Sequence, residues 1–225
     1  GWLGVDLFFV LSGFLITGIL LKGRGRAGYY RNFYIRRTLR IFPLYYGVLA
    51  VVFGAGALIP ALNTPGFREL AAKQGWLWTY TMNWAHFLRP GAVFNCEWIE
   101  LYHFWSLAVE EQFYLVWPTV VLLLPRRWFV GLCVGIVGAA AAQRGLGAAL
   151  GLEPWLFRAD GLVLGGLIAT LARSPDGRAS LFSWSLRLGP ASALIVLVVS
   201  LWRGGLHMSD PVMQGVGMTF VQFAL

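Results

Sequence analysis

The chain has 225 residues, 58% of them hydrophobic and 12% charged, where an ordinary soluble domain carries roughly a quarter charged residues. Apolar runs recur along its whole length, more than a soluble core of this size could hide, so the composition excludes an ordinary soluble domain. The net charge of +8 is distributed between the apolar segments instead of forming one polar face, which points away from a nucleic-acid partner and makes the basic residues markers of membrane topology.

In chain order, the apolar segments predict an all-α, polytopic transmembrane bundle of about seven or eight membrane segments, because a bilayer forces each crossing to satisfy its own backbone. The candidates are residues 2–22, 42–62, 104–124, 128–143, 156–172, 189–203 and 212–225. Between the second and third, residues 76–88 are apolar but shorter than the roughly 20 residues of a crossing, and they carry Asn83 and His86. This stretch reads as a tilted partial span or a re-entrant piece. The charges favour a piece that does not cross, since Lys22 to Arg40, Arg126 with Arg127, and Arg173 to Arg187 then all face the cytoplasm. The small residues from Gly138 to Ala142 suit close helix packing in lipid. No repeat divides the chain, so residues 1–225 are expected to form a single domain, truncated at both ends because each end falls in or beside an apolar run. Cys96 in a polar loop and Cys133 in an apolar helix are not expected to pair.

Four segments carry chemistry. In residues 4–17, GVDLFFVLSGFLIT, helical spacing puts Asp6, Gly13 and Thr17 on one face. A carboxylate, a close-approach glycine and a hydroxyl can then point into a bundle; the plainer account is an acid favoured at a helix N-terminus by the backbone dipole. In residues 33–46, FYIRRTLRIFPLYY, Arg36 and Arg37 precede Arg40 by four and three residues and share a face with it. Three planar, permanently charged forks at a membrane surface suit the phosphates of an acyl donor carried on coenzyme A; an anchor to anionic lipid explains the same residues.

In residues 103–118, HFWSLAVEEQFYLVWP, the spacing stacks His103, Ser106 or Leu107, Glu110 and Tyr114 on one face. Adjacent acids in an apolar span require a cavity or a partner, and a structural ion pair between Glu110 and an arginine is the plainer account. Residues 157–162, FRADGL, open an apolar run with Arg158 and Asp160, which either line the same cavity or pair locally. His86, His103 and His207 are scattered, with no Cys or His at metal-ligand spacing, so no metal site is expected. Phosphate-loop and G-x-S-x-G patterns are missing from the sequence, and Gly23-Arg24-Gly25-Arg26 lacks the strand context that a dinucleotide loop needs.

These four segments, with FRADGLVLGGLIA as the full extent of the last, occur in the order in which the acyltransferase 3 family carries them, and the chain resembles that family over positions 4–169. The resemblance implies a membrane-bound O-acyltransferase of the bacterial inner (cytoplasmic) membrane that passes an acyl group, acetyl foremost, from acyl coenzyme A to a hydroxyl of a sugar or cell-surface glycan such as polysaccharide, lipopolysaccharide or peptidoglycan. No bound cofactor is implied, since acyl coenzyme A is a substrate; the other partners are the glycan acceptor and the lipid bilayer. Asp6, Glu110 and His103 are the catalytic candidates, and Arg36, Arg37, Arg40, Ser106, Tyr114, Arg158 and Asp160 the substrate-binding ones. The family's presumed catalytic histidine lies in a helix before the GVD motif, where this chain has no matching residue; His103 is not promoted to fill that place, and the fragment as given is expected to be inactive. An imidazole is the expected base because it accepts a proton near neutral pH. A different class, a transporter or flippase of a glycan or lipid-linked intermediate, would use Asp6, Glu110 and Asp160 for ion coupling. A non-catalytic membrane scaffold is a third reading.

Overall fold

The computed structural model describes residues 2–89, 92–150 and 158–203. The candidate segment 212–225, the first two residues of the candidate 156–172, and His207 lie outside the described residues. In chain order the elements are α1 (Trp2–Gly23), α2 (Tyr29–Leu58), a 3-10 turn (Pro60–Leu62), α3 (Pro65–Ala72), α4 (Gln74–Trp78), α5 (Met82–Leu88), a short antiparallel hairpin of β1 (Asn95–Cys96) and β2 (Ile99–Glu100), α6 (Phe104–Leu123), α7 (Arg126–Leu150), α8 (Asp160–Leu171) and α9 (Pro175–Arg203). Among the described residues the fold is all-α apart from that hairpin. Among the described residues two helices, Gly4–Gly23 and Tyr29–Leu58, are long and apolar enough to cross a membrane.

Several boundaries differ from those read off hydropathy. The arginine-rich segment and the apolar run that follows it form one helix, α2, about 45 Å long at 1.5 Å per residue, with Pro43 inside it. Proline there removes only the amide that would bond the Leu39 carbonyl, so the helix continues where hydropathy alone starts a new segment. Likewise 128–143 is the middle of α7, and 189–203 is the end of α9, which starts at Pro175 with the Gly177 amide donating to the Ser174 hydroxyl at 3.2 Å. Conversely α8, with 12 residues, rises only about 18 Å and is shorter than the segment expected at 156–172. Residues 76–88 are broken at Thr79 to Thr81 into α4 and α5, of 5 and 7 residues.

The chain forms two compact units, Gly1–Arg24 with Val116–Leu225, and Gly25–Leu115. In the first, α1 and α8 touch backbone to backbone. A Cβ added at Gly13 would lie 1.9 Å from the Leu162 carbonyl oxygen, and one at Gly165 would lie 2.0 Å from that of Val10, so both positions require glycine. Asp6 meets Arg158, Gly13 meets Leu162 and Gly18 meets Arg173, which makes α1 and α8 parallel. The Trp117 indole of α6 donates to the Thr17 hydroxyl at 2.8 Å and closes over Gly166. α7 runs the other way along α8, pairing Arg126 with Ser174 and Arg144 with Asp160.

In the second unit α2 lies antiparallel to the first part of α6, with Phe33 against Tyr114 and Tyr45 against Phe104. Thr64 caps α3 by accepting from the Phe67 amide at 3.2 Å, and the Phe67 ring fits against Gly56 and stacks on Trp98 at 5.8 Å. Gln112 of α6 ties down the break between α4 and α5. Its amide nitrogen donates to the Tyr80 carbonyl at 2.7 Å and the Asn83 side chain at 2.8 Å, and its oxygen accepts from Asn83 at 3.1 Å and the Trp84 indole at 3.2 Å. Tyr80, at φ 53°, holds a left-handed conformation uncommon for a residue with a side chain, and its ring stacks on Tyr45 at 4.0 Å.

Candidate functional site

In the first unit, the polar residues of the GVD and FRAD segments are buried together. Asp6 is 1% exposed, and Arg158, at 5%, approaches its Oδ1 at 3.6 Å. Asp160 opens α8 at 1% exposure and takes Arg144 of α7, also 1% exposed, at 2.6 Å. An isolated charge in such surroundings costs many kcal/mol, so the two acids and two guanidiniums are retained as opposite pairs. The face predicted for Asp6, Gly13 and Thr17 is the face α1 presents to α8 and Trp117. Arg158 and Asp160, two residues apart, do not pair locally: each reaches a different helix, because side chains two positions apart leave the chain in different directions.

Arg144 is the member of this group that sequence reading missed. The expected segment 128–143 stopped one residue short of it. The available signal was a lone guanidinium between alanines and glycines, since an ionised group in an apolar helix needs a partner.

In the second unit, the Arg37 guanidinium sits 5.0 Å from the centre of the Tyr114 ring, and the Tyr114 hydroxyl donates to the buried Glu110 carboxylate. Glu110 and Tyr114 thus share a face as the i, i+4 spacing predicts. His103 does not join them. α6 begins at Phe104, so His103 precedes the helix, is exposed, and rests edge-on against the Phe104 ring at 5.0 Å. Ser106 is turned back onto the first turn, its hydroxyl donating to the His103 carbonyl at 2.9 Å. Arg36 and Arg40 are exposed on α2, and Arg37 is half-buried. Glu111 keeps a buried Oε1, and Tyr80 a buried hydroxyl, without hydrogen-bond partners among the described residues. Sequence reading assigned neither a role; the paired acids at 110 and 111 were the signal for the first.

Among the described residues no three His, Cys, Asp or Glu side chains come together as a metal-ligand set, and Cys96 and Cys133 are free thiols. What both units hold is acid–base and charge-pairing chemistry within apolar helices: carboxylates beside guanidiniums in one, and a carboxylate, a phenol and a guanidinium in the other. Such groups orient and polarise an oxygen nucleophile or neutralise an anionic donor.

Relatives are consistent with that chemistry. The chain is 37% identical over 137 residues to the O-acetyltransferase OatA of Staphylococcus aureus, covering 57% of this chain and 21% of that protein. It is 35% identical over 127 residues to the peptidoglycan O-acetyltransferase OatA of Listeria monocytogenes, covering 55% of this chain and 20% of the other. The chain therefore spans about a fifth of the length of the curated relatives it matches. No solved structure matches it. The family model for an acyltransferase domain of the acyltransferase 3 type matches residues 2–224, nearly the whole chain, and the chain belongs to the acyltransferase 3 family.

Proposed function

We propose that residues 1–225 are one acyltransferase domain of a membrane-bound O-acyltransferase, which moves an acetyl group from acetyl coenzyme A to a hydroxyl of a cell-wall glycan. The observation that carries this reading is the burial of Asp6, Arg144, Arg158 and Asp160 as opposite pairs, built largely from two family motifs within apolar helices. The names of the relatives supply the acyl group and the class of acceptor.

In the reaction the acceptor oxygen attacks the thioester carbonyl, a base takes its proton, the carbon–sulfur bond breaks, and the thiolate leaves and is protonated. Asp6 and Glu110 orient the base or balance its charge, while Arg36, Arg37 and Arg40 hold phosphates of the donor. Tyr114, placed between Arg37 and Glu110, sets the direction of that carboxylate. Arg158 and Asp160 position Asp6 and α8, and Ser106 donates to the His103 carbonyl in the first turn of α6. In this reading His103, exposed and outside α6, is not assigned the role of base.

The protein resides, in this reading, in the bacterial cytoplasmic membrane with about seven or eight segments. Support comes from direction. The second part of α6 runs parallel to α1, since Trp117 meets Thr17 while Val121 and Leu124 share a cleft with Leu21 and Arg24. The reading takes residues 76–88 as not spanning, which keeps the basic segments together on the cytoplasmic side. Deleting the full gene and comparing O-acetyl content of the purified cell-wall glycan by mass spectrometry tests the function. Loss restored by the wild-type gene, but reduced about a hundredfold or more with Asp6→Asn or Glu110→Gln, is expected; unchanged acetylation in the deletion refutes it. Glycan that is absent from the surface instead of unacetylated selects the flippase reading.

A further inference from the structure

The unit built from α1, the second part of α6, α7, α8 and α9 contains a cleft of about 340 Å³ whose charged lining is entirely basic. Arg24 follows α1, Arg126 opens α7 and Arg173 follows α8; Thr170 and Ser174 add hydroxyls, and Phe129 belongs to the apolar floor. No carboxylate lines it. Arg126 uses one donor on the Ser174 hydroxyl at 2.6 Å and Arg173 one on the Gly18 carbonyl at 3.3 Å, whereas each guanidinium carries five. These contacts hold the two side chains at the rim and leave further N–H groups for a ligand.

Three like charges brought to one cleft repel, and an anion between them relieves that repulsion. Planar guanidinium forks with neighbouring hydroxyls match the oxygens of a phosphate. The volume is at the low end of small-molecule sites. From Asp6 to Leu21 α1 rises about 22 Å, so the cleft lies at the opposite end of these helices from the buried ion pairs. It uses none of Arg36, Arg37 and Arg40.

We propose that this cleft is a phosphate-binding site formed by Arg24, Arg126 and Arg173, serving either a soluble phosphate-bearing ligand or the headgroup of an anionic phospholipid. The site does not depend on the acyltransferase reading, because binding is measured without turnover. The full chain is placed in phosphatidylcholine nanodiscs and titrated calorimetrically with adenosine 3′,5′-bisphosphate; in a second arm, retention of phosphatidylglycerol over phosphatidylcholine is read by native mass spectrometry. Binding in the first arm that Arg126→Gln and Arg173→Gln weaken assigns a soluble ligand to the cleft, and selective retention in the second that they weaken assigns a lipid. In the arm that binds, Arg126→Gln and Arg173→Gln each weaken the interaction about tenfold, and Arg187→Gln, an exposed arginine away from the cleft, changes it less than about twofold. On the unmutated protein, the bound probe shields Arg24, Arg126 and Arg173 from phenylglyoxal modification, located by peptide mass spectrometry. Absence of binding in both arms, wild-type binding by both glutamine variants, or no shielding overturns the site.

Discussion

Asp6 shows how little a single residue reveals until its partner is found. A carboxylate near a helix N-terminus is ordinary, but one that is 1% exposed beside Arg158 is half of a buried pair. Arg158→Ala should therefore destabilise the protein by about 3 kcal/mol, because it leaves a buried carboxylate without its cation. The double variant Asp6→Asn, Arg158→Gln should lose less, since neither charge of this pair is left uncompensated. Thermal melting in detergent checks both, and a single variant as stable as wild type would refute the pairing. Glu97 offers a contrast at the exposed surface. The Thr64 hydroxyl, with backbone amides including that of Gly66, holds its carboxyl below the usual carboxylate range. The folded state therefore gains from the ionised form above the unfolded-state range and loses that gain as pH falls through the lower folded value. The protection of the Gly66 and Phe67 amides against hydrogen exchange, taken relative to the intrinsic rate at each pH, should fall in acid for the wild type. Glu97→Gln should exchange faster already at neutral pH and respond less to acid.

For the helices, close approach is the controlling quantity. α1 and α8 pack through Gly13 and Gly165 with no room for a methyl group, whereas Gly18 of the same α1 faces open space. Gly13→Ala should cost about 1–3 kcal/mol or more by forcing the two helices apart, and Gly18→Ala should be neutral or slightly favourable through helix propensity. Melting temperatures of the two variants in the same detergent decide this, and equal effects would refute the crossing. Displacement at Gly13 would also shift Asp6 relative to Arg158, so the first variant should lose glycan acetylation as well as stability.

At the level of the whole chain, the proposed topology places the basic segments on the cytoplasmic side. If residues 76–88 do not span, Cys96 faces the outside. A membrane-impermeant maleimide applied to intact spheroplasts should label Cys96, which is half-buried, and leave Cys133, which is buried in α7. Protection of Cys96 until the membrane is opened would reverse the topology. The free state of both thiols lets the experiment use the native residues.

Helical class, the family and the face joining Asp6, Gly13 and Thr17 were legible in the sequence, because each rests on local composition, on motif order or on the fixed rotation of an α-helix. Glu110 and Tyr114 followed from the same rule, and it failed for His103 only because α6 begins one residue later. Helix limits were less legible: hydropathy marks where lipid is tolerated, while a helix continues for as long as its backbone bonds are satisfied, as α2 does through Pro43. Partners were not legible at all. That Arg158 meets Asp6, that Asp160 meets Arg144, and that arginines at 24, 126 and 173 surround one cleft are long-range facts. The sequence by itself determined which charges needed compensation; only the packing of helices distant in the chain decided which opposite charge supplied it.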